Sequence, residues 1–76
     1  MILPTKHVPP GQSLIDAGAV VIAALSLPAT VSTLWELVRE EPSVQDFERF
    51  ILALDLLFAL GAVNYTNRTL FRSRND

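Results

Sequence analysis

Acid–base or metal chemistry in this chain would have to come from His7 and the carboxylates Asp16, Glu36, Glu40, Glu41, Asp46, Glu48 and Asp55. His7 stands in a proline-rich start with no cysteine or serine nucleophile signature beside it, and a general base acts only with a partner in hydrogen-bond reach. The usual zinc sites take three or four Cys, His or acidic ligands, whereas this chain has no cysteine and one histidine. The carboxylates are scattered at spacings that require neither a metal nor an acid/base pair, and they read as solvating and helix N-terminal charge. Asp46 with Arg49 and Glu36 with Arg39 are i,i+3 pairs, each worth about 0.2–0.5 kcal/mol. Gly11, Gly18 and Gly61 lie far apart with no lysine after them, so there is no phosphate-cradling loop. We therefore expect no enzyme, no metal, no cofactor and no small-molecule substrate.

The arginines offer a second chemistry, contact with nucleic acid. Arg49, Arg68, Arg72 and Arg74 are the candidates, but six basic residues stand against eight acidic ones, for a net charge of −2, which sets up no field to attract phosphate. The elements that must carry these residues follow from the apolar pattern. Met1 to Val8, bounded by Pro9, Pro10 and Gly11, reads as an extended arm or edge strand. Ser13 can cap a first helix whose face is Leu14, Ile15, Gly18, Val21, Ile22 and Leu25, ended by Pro28. Thr30 caps a second helix in which Val31, Leu34, Trp35 and Val38 form a core stripe ending near Glu41-Pro42. Ser43 with Asp46 resembles a capping box before a third helix that faces its core with Phe47, Phe50, Ile51, Leu54, Leu57 and Phe58 and stops at Gly61.

Ala62 to Tyr65 and Thr69 to Phe71, around Thr66-Asn67-Arg68, read as a β-hairpin. The whole chain is then one domain: an arm or strand over 1–11, three helices over 12–61, a hairpin over 62–72 and a tail over 73–76. The fold class is α+β, mainly α, and the order predicts a winged helix-turn-helix, with the N-terminal strand pairing against the hairpin. In that fold the third helix reads the major groove, yet its solvent side here offers Glu48, Leu52, Asp55 and Leu56, with Arg49 as its one cation. A DNA-binding repressor is thus the second reading, carried by the hairpin and tail arginines.

More telling is what lies opposite the core stripes. On the third helix Leu52, Leu56 and Leu60 form another apolar strip, bordered by Glu48 and Asp55; on the first, Val20, Ala23 and Leu27 do the same. A helix apolar nearly all round is buried on both sides, which three short helices cannot achieve for one another. Seventy-six residues bury only about 60% of their unfolded surface. The chain is 50% hydrophobic and 18% charged, against roughly 25% charged in an average soluble domain. We expect another protein chain to cover the strips, either a larger subunit or a second copy in a homodimer, with Val20, Ala23, Leu27, Glu48, Leu52, Asp55, Leu56 and Leu60 at the contact. Asp55 would take an Arg or Lys of the partner at the rim.

The uncharged run Ala17 to Trp35 is about long enough to span a bilayer, but Ser26, Pro28, Thr30, Ser32 and Thr33 interrupt it, leaving a small membrane protein as a third reading. The start MILPTKHVPPG lacks the basic-then-apolar order of a secretory signal, and we expect a cytoplasmic protein.

Three segments together resemble a known family. The start MILPTKHVPPGQSLI, the stretch ATVSTLWELVRE with its T-V-x-x-L-W pattern, and FILALDLLFALGAV with its A-L-D-x-L-x-x-L-G helix end are similar to the small middle components of bacterial ABC three-component systems. The resemblance spans nearly the whole chain. It implies a non-enzymatic adaptor encoded between a large ABC/SMC-like ATPase and another component, in systems directed against phage or other mobile elements. The matching positions Thr30, Val31, Leu34, Trp35, Ala53, Leu54, Leu57, Leu60 and Gly61 read as cap, core and helix end; Asp55 matches too and is none of these.

Overall fold

The computed structural model describes residues 10–73, and side-chain surroundings from residue 14 onward. Three helices, α1 (Pro10–Ala24), α2 (Val31–Val38) and α3 (Phe47–Ala59), precede two strands, β1 (Val63–Thr66) and β2 (Thr69–Arg72). The layout is α+β and mainly helical, with a C-terminal antiparallel hairpin as the sequence predicted. The arm over 1–8, His7 and Arg74 lie outside the described residues.

α1 starts earlier than the Ser13 cap would place it: Pro10 stands in its first turn, where a missing N–H costs nothing, and Ser13 falls inside the helix. Its last turn closes with the Leu25 N–H shared between the Val21 and Ile22 carbonyls. Thr30 caps α2 as expected, its hydroxyl accepting from the Thr33 N–H at 3.1 Å. α2 then stops at Val38, a turn ahead of Glu41-Pro42.

The cap of α3 is Asp46 itself, not Ser43. Its Oδ1 accepts the Arg49 N–H at 2.9 Å, and Glu48 sits in the positive first turn. The reason is the backbone between them. Gln45 has φ +70°, with the Asp46 N–H donating to the Val44 carbonyl at 2.8 Å, and this tight reversal separates Ser43 from the helix. Replacing Asp46 with Ala should cost about 1 kcal/mol of stability, read as a lower urea midpoint at unchanged slope; a midpoint equal to wild type would show that the cap contributes nothing.

Gly61 ends α3 as the sequence indicated. With φ +75° it lets the Gly61 N–H reach the Phe58 carbonyl (3.0 Å) and the Ala62 N–H reach that of Leu57 (2.9 Å), the two bonds of a Schellman motif. The strands pair Val63 with Arg72 and Thr66 with Thr69, so two residues, Asn67 and Arg68, make the turn. Both have positive φ, 53° and 63°, whose twist matches the strands. Asn tolerates this region and Arg does not, so Arg68→Gly should raise stability by about 0.5–1 kcal/mol, seen as a higher Tm; no rise would mean the turn is unstrained.

One pairing departs from expectation. The outer edge of β2 is met by Ala29, between α1 and α2, through the Ala29 N–H to the Leu70 carbonyl (3.0 Å) and the reverse bond (2.7 Å). The N-terminal strand expected to pair against the hairpin lies outside the described residues. Arg72 adds a second tie, its Nε donating to the Ile22 carbonyl at 3.2 Å in the last turn of α1, where a cation is favoured.

The core joins Ala17, Val21 and Leu25 of α1, Leu34 and Val38 of α2, Val44, then Phe50, Ala53, Leu54 and Leu57 of α3, and Val63 and Leu70 of the hairpin. α1 packs chiefly on α3. Small residues permit that crossing: Ala17 and Ala53 are fully buried, and a methyl at Gly18 would sit 3.8 Å from the ends of Leu56 and Leu57. Trp35, half-buried, meets Phe47 edge-on with ring centres 5.2 Å apart and Phe50 at 5.3 Å. It packs against the core cluster, as its stripe position implied.

Candidate interaction surface

The surface of this domain is shaped by which apolar residues the core leaves out. Ile15 and Phe58, expected inside, are 56% and 40% exposed, and Phe47 is also exposed. At 100° per residue, Ala17, Val21 and Leu25 centre the buried side of α1, which puts Ile15, Ala19 and Ile22 on one flank and Val20 and Ala24 on the other. On α3 the centre is Phe50, Ala53, Leu54 and Leu57; Leu56 and Leu60 lie on the flank toward α1, and Ile51, Asp55 and Phe58 on the flank toward the hairpin.

The flanks meet in grooves. Between α1 and α3 runs an almost wholly apolar groove of about 400 Å³, lined by Ile15, Gly18, Ala19, Ile22, Leu56 and Leu60. Leu60 is 69% exposed at its end, and Leu52, also exposed, lies one turn from Leu56 along the same strip. Leu56 is half-buried. The three leucines singled out on α3 are thus on one side of the domain, though their α1 neighbours are Ile15, Ala19 and Ile22.

Val20 and Ala23 line a different groove, with Leu37, Val38 and Glu41, between α1 and α2. Leu27 lies beyond the end of α1, 75% exposed in the connection to α2, so it cannot continue a helical strip with them. Leu37, exposed and unforeseen, joins this second groove. Asp55 is on neither: it lines a third groove with Val31, Ile51, Phe58, Tyr65 and Leu70, across α3 from Leu56 and Leu60. Glu48 is exposed in the first turn of α3. The sequence joined in one contact residues that the structure distributes over three faces. Ile15, expected on the core face, is exposed, whereas Ile22 is half-buried and packs against the core while also lining the groove.

The candidate nucleic-acid contacts are likewise dispersed. Arg72 is committed to the C-terminal end of α1. Arg49, seven residues before Leu56, shares the α1-facing flank and is only partly exposed. Arg68 is exposed in the hairpin turn. No group of three or more acidic or histidine side chains that could hold a metal ion occurs among the described residues, and none of their helices is long and apolar enough to cross a membrane. The Ala17 to Trp35 run is divided by the break at residues 25–30.

Fold and surface together define a small, mainly helical domain whose prominent surface features are apolar grooves between its elements. Residues 3–74 match the family model of the ABC-three component (ABC-3C) system Middle Component 6, and the chain belongs to that family. The resemblance read from the three sequence segments is thereby borne out, and membership in a multi-component system implies partner proteins. No curated protein and no solved structure matches the chain.

Proposed function

We infer that this chain is a non-enzymatic adaptor that docks on a large ABC/SMC-like ATPase and links it to an effector, in a bacterial system acting against phage or other mobile elements. The reading takes the three helices, the Ala29 bridge and the hairpin as a winged-helix domain used for protein contact. The observation that carries it is the α1–α3 groove: Ile15, Leu56 and Leu60 make an apolar surface that nothing within the described chain covers, in a protein whose family is a middle component. Such a surface is stabilised when a partner removes it from water, at about 25 cal/mol per Å² of apolar area.

On the DNA-reading alternative, α3 presents Glu48, Leu52 and Asp55 where a groove-reading helix would need cations. The apolar grooves support protein contact as its use, and the reading places that contact in the cytoplasm. The test is co-expression with the proteins encoded beside it, tagged on this chain. Stoichiometric co-elution with a large ATPase is expected. A chain that elutes alone as a stable monomer in their presence would sink the adaptor reading, and a low-salt gel shift dependent on Arg68 would replace it with the repressor.

A further inference from the structure

A carboxylate stands in an otherwise apolar groove on the opposite flank of α3. That groove, about 190 Å³, is formed by α3, the start of α2 and the hairpin, and Asp55 is the one charged residue in its lining. Phe58 and Tyr65 line it with rings 40% and 51% exposed, and Val31 and Ile51 supply aliphatic walls. Neither Asp55 nor Tyr65 has a side-chain hydrogen bond or ion pair among the described residues. Among the described cations, Arg39 pairs with Glu36 at 3.4 Å, Arg72 donates to the Ile22 carbonyl, Arg49 lies on the far flank of the helix, and Arg68 is exposed in the hairpin turn.

We propose that this groove is a second docking site, which takes an arginine or lysine side chain projecting from an apolar segment of a partner protein. The charge complementarity selects the occupant. A long basic side chain brings an aliphatic stem for Val31 and Ile51, a cation for the faces of Phe58 and Tyr65, and donors for the Asp55 carboxylate. A phosphate-bearing ligand meets a like charge there, and an uncharged apolar ligand leaves the carboxylate desolvated and unpaired. The site is independent of the α1–α3 groove, since residues six positions apart on α3, such as Arg49 and Asp55, sit about 120° round the helix from each other.

The site is tested on the full ¹⁵N-labelled chain by titration with acetyl-Thr-Val-Arg-Val-Thr-amide and its lysine, citrulline and glutamate counterparts. Amide shifts should change at Asp55, Phe58 and Tyr65 with the arginine or lysine peptide. Affinity should fall about tenfold for citrulline or glutamate, and by as much for an Asp55→Asn chain. A Leu60→Asp chain should bind the peptide unchanged, so a failed adaptor reading and a failed Asp55 site give different results. Equal affinity for all four peptides, shifts confined to the α1–α3 groove, or none at millimolar peptide would overturn the proposal. So would binding that emerges only after Lys6→Gln or Arg74→Gln, which would show the chain's own cation filling the site.

Discussion

Phe50→Ala should remove about 3–5 kcal/mol of stability and lower the melting temperature by on the order of 20 °C. Phe50 has no exposed surface and its ring centre lies 5.3 Å from that of Trp35 and 5.6 Å from that of Phe47. Truncation would delete the largest fully buried side chain among the described residues and leave two half-supported aromatics around the void. Collapse can close little of it, because the neighbouring buried positions on α3, Ala53 and Leu54, are held by the crossing with α1 and by Leu70. A domain of this length has about 4–11 kcal/mol in total, so the variant should be partly unfolded at physiological temperature. Far-ultraviolet circular dichroism against temperature and urea reads this directly. A loss below about 1 kcal/mol would mean that the aromatic cluster is not the keystone of the core.

The second large effect is on assembly. Leu60→Asp and, separately, Ile15→Asp should weaken co-purification with the partner subunit at least about thirtyfold, the loss expected when a buried interface anchor is replaced by a charge. Both side chains are more than half exposed in the free domain, so stability should change by no more than about 0.5 kcal/mol. Leu56 is a poorer probe, since it is half-buried and packs over Gly18, and an acid there would damage the fold as well. Leu37→Asp, exposed in the α1–α2 groove, serves as the control. If it disrupts co-elution and Leu60→Asp does not, the docking face lies between α1 and α2.

The family and the order of helices and hairpin were readable because their signals are local: Thr30 before an apolar stripe, Gly61 after one, Asn67 in a two-residue turn. Two kinds of feature were not. Helix starts shifted where the sequence offers adjacent candidates, as with Ser43 and Asp46, and the positive φ of Gln45 that decides between them has no sequence mark. The Ala29–Leu70 bridge joins two backbones, and an alanine after a proline carries no sign of a strand partner forty-one residues on (70 − 29). The candidate surface was half legible. Helical phase alone identified the leucine strip Leu52, Leu56 and Leu60, but which α1 residues stand beside it depends on the crossing, which is set by Ala17, Gly18 and Ala53 rather than by the larger side chains that dominate an apolar pattern. Asp55 was recognised as out of place on a core helix and assigned to the wrong rim, because a wheel shows a residue's angle and not which neighbouring element fills that angle.

The two ties that the hairpin makes to the first half of the chain, Leu70 to Ala29 and Arg72 to Ile22, set an order of events. Contacts between residues so far apart in sequence carry the loop-closure entropy of the chain between them and form late in folding. Until β2 folds back, the Ala29 N–H and carbonyl lack the partners that Leu70 gives them. Before α3 packs, α1 exposes the apolar side that lines the groove, so the α1–α3 surface is complete only once those two helices have met.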